Sequence, residues 1–93
     1  MPTIKKGTQS FYIGEDEKNP EAEIGYTFSE NGDIVVDHTV VSEKLQGQGI
    51  AGKLVERVVD LARQEQTKII PECSYAEKKL TETPEYQDVL KQA

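Results

Sequence analysis

The sequence predicts an α+β domain: an antiparallel meander of about three strands, one long helix, a further strand and two short helices. Three observations lead there. Residues 23–29 place Ile24, Tyr26 and Phe28 on one side, the period of two that marks a half-buried strand. Asn31-Gly32 follows directly, a hairpin signal because both residue types tolerate positive φ. From Ile50 the apolar period lengthens, and Ile50, Leu54, Val58 and Leu61 fall on one helical face. A sheet with one apolar face and a helix with one apolar stripe bury both by packing together.

Taken in order, residues 9–13 form a short strand, and the polar "GEDEKNPEA" of 14–22 is a surface loop punctuated by Gly14 and Pro20. Residues 33–41, with Ile34, Val35, Val36, Val40 and Val41, complete the meander. The long helix runs over about 47–65. Ala51, Val55 and Ala62 flank its stripe, and Lys53, Glu56, Arg57, Asp60 and Arg63 fall mainly outside it. "KIIPEC", 68–73, is a strand in which Pro71, lacking an N–H, needs an edge or a break in pairing. Ser74 caps a short helix carrying Ala76 and Leu80. Thr83-Pro84-Glu85 is an N-cap, first-position proline and acidic first turn, so a last short helix is expected over 84–91.

The bulk numbers bound the function. A chain of 93 residues is read as a single domain, 1–93. With 35% apolar and 30% charged residues and no apolar run of roughly 18, it reads as a soluble protein with no membrane span. The net charge of −6, with basic residues scattered, argues against nucleic acid. It is compatible with a cationic acceptor such as an amine, although solubility alone accounts for it. No apolar segment follows Met1, and Cys73 has no second cysteine to pair with. The expectation is a reducing cytoplasm.

The stretch 45–62, "LQGQGIAGKLVERVVDLA", carries the strongest chemical signal. A helix N-terminus offers unpaired amides and the positive end of the helix dipole. Glycines just before it let an anion approach the backbone. Gly47, Gln48, Gly49, Ile50 and Ala51 supply such amides; the plainer reading is a turn. Gly47, Gly49 and Gly52 spell G-x-G-x-x-G, but the antiparallel strands before it are not the βαβ unit that a dinucleotide site requires. No Walker sequence is present.

Gln46-Gly47-Gln48-Gly49-Ile50-Ala51 matches Q/R-x-x-G-x-G/A. It resembles the pyrophosphate-binding motif of the GNAT superfamily of acetyl-CoA-dependent N-acetyltransferases. "PECSYAEKKLTETPEY" (71–86) and the pair His38-Thr39 resemble a subgroup of very small GNAT-like proteins with a Pro-x-Cys-x-Tyr segment. The resemblance spans about 21–90. It implies a minimal GNAT-like fold, with Gln46, Gly47, Gln48, Gly49, Ile50 and Ala51 on the pyrophosphate of coenzyme A. Thr39, Val40 and Val41 would lie along the pantetheine arm. The chain departs from the pattern at Leu80, where an aromatic is usual, and 14–22 is too short and polar to replace the N-terminal helices of larger relatives.

Three residues are candidates for chemistry. Cys73 lies at the start of a helix, where a thiolate is favoured, and the subgroup resemblance implies an acetyl-carrying nucleophile; the bland alternative is a small buried hydrophobe. His38, the lone histidine, is the natural base near neutrality, or simply a packed strand residue. Tyr75 is an acid or a pocket wall, or else a core aromatic; Tyr26 and Tyr86 read as packing. One His and one Cys give too few ligands for a metal site. The function implied is acetyl transfer from acetyl-CoA to a small-molecule or protein amine. The alternatives are a coenzyme A-binding module without turnover and an interaction domain on the same fold.

Overall fold

The computed structural model describes residues 3–91. Strands β1 (Lys5–Lys6), β2 (Ser10–Ile13), β3 (Ala22–Phe28), β4 (Ile34–Val41) and β5 (Ile69–Pro71) form one sheet in the order β1-β2-β3-β4-β5. Each neighbouring pair among the first four strands is antiparallel, and β5 adds to β4 in parallel. Helix α1 (Ile50–Glu65) makes the crossover between them, and α2 (Ser74–Glu82) follows β5.

The expected meander is therefore one strand short. Two exposed lysines form β1, a strand with no apolar alternation to announce it, and charge on such a short edge strand discourages further pairing. The connection from β3 to β4 is five residues long, Ser29 to Asp33, closed by Ser29 N–H donating to Asp33 O at 2.8 Å. Only Gly32 has a positive φ there, +84°. Asn31-Gly32 marks the hairpin without forming a two-residue turn.

Residues 84–91 do not form the expected helix. Pro84–Tyr86 is a single 3-10 turn, after which Leu90 pairs with Ile69 as an isolated parallel bridge. Ile69 N–H donates to Val89 O at 2.6 Å and Lys91 N–H to Ile69 O at 2.9 Å. The free edge of β5 offers these backbone groups partners, so the helix stops after one turn.

Helix α1 lies across β2, β3 and β4, and α2 packs on β4, β5 and α1. Ile24, Ile34, Leu54, Val59 and Ile69 are wholly buried in one core, joined from α2 by Ala76 and Leu80. Burial of a Leu or Ile side chain contributes about 1.5–3 kcal/mol. Leu80 thus serves as core at the position where an aromatic was expected. At its C-terminus α1 ends on Gln66 in the left-handed region, φ 57°, and the Gln66 N–H reaches the carbonyls of Ala62 and Arg63.

One irregularity sets the geometry of the site. Gly25 faces His38, but the next pair is Tyr26 with Val36, leaving Asp37 as an extra residue in β4. Such a bulge shifts the alternation by one. Before it, Ile34 and Val36 point into the core; after it, Thr39 and Val41 do, while His38 and Val40 face outward.

Candidate active site

The loop before α1 is built to keep its amides open. After β4, a 3-10 turn at Glu43–Leu45 leads into Gln46, whose side-chain amide donates back to Val41 O at 3.2 Å. Gln48 does the same to Lys44 O at 3.4 Å, and Lys44 is paired with Glu21. Gly47 and Gly49 hold φ +83° and +72°, which L-residues rarely adopt. A Cβ on either would meet nothing within 4 Å. Conformation demands these glycines, and their outer side is open.

The first turn of α1 has no capping side chain and no acidic residue. Its leading N–H groups are left for an external acceptor. They open onto a cleft of about 220 Å³ walled by Val41, Leu45, Gly47, Ile50, Gly52 and Tyr75, among others. Open glycines, uncapped amides and an apolar wall suit a diphosphate followed by an uncharged arm.

Cys73 stands where β4 and β5 part. Pairing of the two strands ends at Val36 with Pro71, and Val36 O accepts from both Glu72 N–H (2.9 Å) and Cys73 N–H (3.1 Å). The chain then turns into α2, with Cys73 as its N-cap residue. The thiol is partly buried against the core, 3.5 Å from Thr39 Oγ1. Burial pushes its pKa up. The Thr39 hydroxyl and the backbone N–H groups of Ala76, Tyr75 and Thr39 outweigh that, so the pKa falls below the usual thiol value. Thr39 and Val41 are two residues apart on one face of β4, about 7 Å. The thiol therefore lies a short step along the strand from the cleft.

His38 is on the other side of the sheet. Its ring covers Gly25 with Cε1 nearest, Nδ1 on Asp37 Oδ1 and Nε2 3.5 Å from Glu23 Oε2. A Cβ on Gly25 would stand 2.1 Å from His38 Cε1. Val40 shares this outer face and is 57% exposed. Tyr75 is 39% exposed and lines the cleft, its hydroxyl 3.8 Å from where a Gly52 Cβ would stand. Burial raises its pKa and keeps the phenol protonated at neutrality.

The structure thus brings together Cys73, Thr39 and the start of α2, and separately Tyr75 and the loop of 46–51. It does not bring His38 and Cys73 to the same face. Sequence reasoning missed two features. Thr39 as the partner of Cys73 depends on the bulge, which has no signature in a run such as "IVVDHTVV". Lys79 lies with Tyr75 over the first turn of α1; its spacing of four from Tyr75 on a helix was the available signal. Among the described residues no group of three or more His, Cys, Asp or Glu could hold a metal ion, and no helix is long and apolar enough to cross a membrane.

Residues 10–89 match the family model described as GCN5-related N-acetyl-transferase. The chain belongs to this family. Membership makes it an acyltransferase of the N-acetyltransferase class, and the mixed sheet with its crossover helix is the GNAT-like fold. The solution structure of a GCN5-like protein from Staphylococcus aureus is similar over 98% of this chain and 89% of its own, with TM-score 0.83 and 47% identity. A ribosomal-protein-alanine N-acetyltransferase from Brucella melitensis biovar Abortus 2308 shares the fold, with TM-score 0.57 and 19% identity over 94% of this chain. The present chain spans 65% of that larger one. No curated protein matches.

Proposed function

We propose that this domain is a cytoplasmic N-acetyltransferase that takes acetyl-CoA as its donor and an amine, free or on a protein, as its acceptor. The observation that carries this reading is the uncapped first turn of α1 opening onto the cleft, in a chain of the acetyltransferase family. The backbone of Gly47, Gly49, Ile50 and Ala51 holds the diphosphate, with Gln46 and Gln48 bracing the loop. Val41 and Tyr75 wall the path of the pantetheine arm. The bound donor supplies an acetyl thioester.

Cys73, at the β4–β5 parting, accepts the acetyl group as a thiolate, and the coenzyme leaves as a thiolate that is protonated within the cleft. The acetyl group then passes to the amine nitrogen, and the cysteine returns to thiolate. Hydrogen-bond donors from Thr39 and the start of α2 favour the nucleophile at neutrality. The amine must lose a proton, which in this scheme passes to solvent; His38, held between Asp37 and Glu23 on the opposite face of the sheet, is not placed to take it from an amine at Cys73. Tyr75, kept protonated, donates within the cleft.

Calorimetry with acetyl-CoA tests the donor site; no heat at millimolar ligand refutes it. Thiol release on addition of a panel of amines tests turnover, and a protein that binds but never releases thiol is a binding module. A Cys73→Ala variant with full activity removes the acetyl-cysteine step. An unchanged pH–rate profile is expected for His38→Gln.

A further inference from the structure

We infer that Lys79 binds the diphosphate of the donor, closing the cleft from the side opposite the glycine loop. This rests on the coenzyme A reading above and adds a residue outside the Q-x-x-G-x-A motif. Lys79 follows Tyr75 by one turn of α2, so both side chains leave the same helical face. They converge on the first turn of α1. Lys79 Cε and Nζ lie 3.6 and 3.7 Å from the place of a Cβ on Gly52, and Tyr75 Oη lies 3.8 Å from it.

This is an unfavourable place for a cation. The N-terminal end of α1 carries roughly half a positive charge, and its first turn has no acidic residue to neutralise it. Among the described residues no carboxylate pairs with Lys79, although the sequence has 17 Asp and Glu. Lys79 is half-buried as a residue, and its ammonium is held over Gly52 in the first turn of α1. An ammonium with no carboxylate partner, a helix N-terminus and unpaired N–H groups in the first turn share one missing partner, a multiply charged anion. The diphosphate fits better than the 3′-phosphate because Nζ sits over the same first turn whose amides the diphosphate would occupy.

The test is calorimetry of the full chain, wild type and Lys79→Gln, with coenzyme A, with dephospho-coenzyme A and with pantetheine. Gln has nearly the same helix propensity as Lys, and the melting temperature of the variant checks its fold. We expect Lys79→Gln to weaken coenzyme A and dephospho-coenzyme A alike, by about tenfold, as for loss of one charge-assisted contact. Pantetheine, which has no phosphate, should bind both proteins equally, and Lys79→Arg should retain most of the affinity. Equal coenzyme A affinity in wild type and Lys79→Gln overturns the inference and leaves the donor site standing. A penalty seen with coenzyme A but not with dephospho-coenzyme A also overturns it, since the contact would then be to the 3′-phosphate. If the wild-type protein binds none of the three at millimolar concentration, the donor reading falls and this inference with it.

Discussion

Replacing Gly25 by Ala should detach His38 from its seat while leaving the fold almost untouched. The new Cβ would stand 2.1 Å from His38 Cε1, 2.7 Å from Nε2 and 2.8 Å from Nδ1. Carbon atoms in contact prefer about 3.5–4.0 Å, so the ring must move by roughly 1.5 Å or more. It has room to do so, because the His38 side chain is 50% exposed. Displacement loses the approach to Glu23, an exposed pairing worth about 0–1 kcal/mol. Against that, Ala in a strand gains about 0.5–1 kcal/mol over Gly. The two nearly cancel. For a chain of this size a net change below about 1 kcal/mol moves the melting temperature by less than about 8 °C. The assay is a thermal melt together with NMR cross-relaxation between the His38 Cε1 proton and the Gly25 α-protons. That contact should be present in the wild type. Absence of the wild-type contact, or a loss of more than about 2 kcal/mol in Gly25→Ala, would refute the argument that a mobile ring rests on bare backbone.

Alkylation of Cys73 by iodoacetamide should show a pH midpoint below the roughly 8.5 of a free thiol, and Thr39→Val should move it upward by removing a hydroxyl that favours the thiolate; coincident midpoints would show that Thr39 has no such role. Gln66→Gly should stabilise the protein by up to about 1 kcal/mol, because Gly accepts the left-handed conformation at the end of α1 without a Cβ penalty; urea denaturation measures it. Lys91 and Thr67 hold the Asp33 carboxylate below the usual range, and Arg63 does so for Asp88. Their contribution to stability is complete above the unfolded carboxylate value and is lost as pH falls through it towards the lower folded values. Denaturation midpoints followed down through this acid range should drop less steeply in Asp33→Asn than in the wild type.

Some elements could be read from the chain because a single local rule governed them. The long helix shows its stripe in Ile50, Leu54, Val58 and Leu61, and all four are buried where α1 meets the sheet. Gly47 and Gly49 were legible as backbone positions, and both hold positive φ. What escaped depends on partners distant in sequence. β1 is a strand only because β2 lies beside it, and Lys5-Lys6 carries no pattern of its own. The stretch 84–91 has every local signal for a helix start. It is diverted because the edge of β5, some 20 residues earlier, offers Ile69 for pairing. The parity of His38 and Thr39 hangs on Asp37, an extra residue visible only once β3 is laid against β4.

That extra residue makes β4 a strand with a change of hand halfway along. Were Asp37 deleted, the pairing with β3 would run on without a break, and His38 would stay outward and Thr39 inward beside Cys73. Were Asp37 kept and the bulge ironed out into regular pairing, every later residue would exchange faces: His38 would turn in beside Cys73, and Thr39 would turn out to the water. The bulge therefore separates two wirings of the same side chains, one with thiol and imidazole on opposite sides of the sheet and one with them adjacent. Whether relatives keep it would be worth more as a guide to their chemistry than the identity of any one side chain.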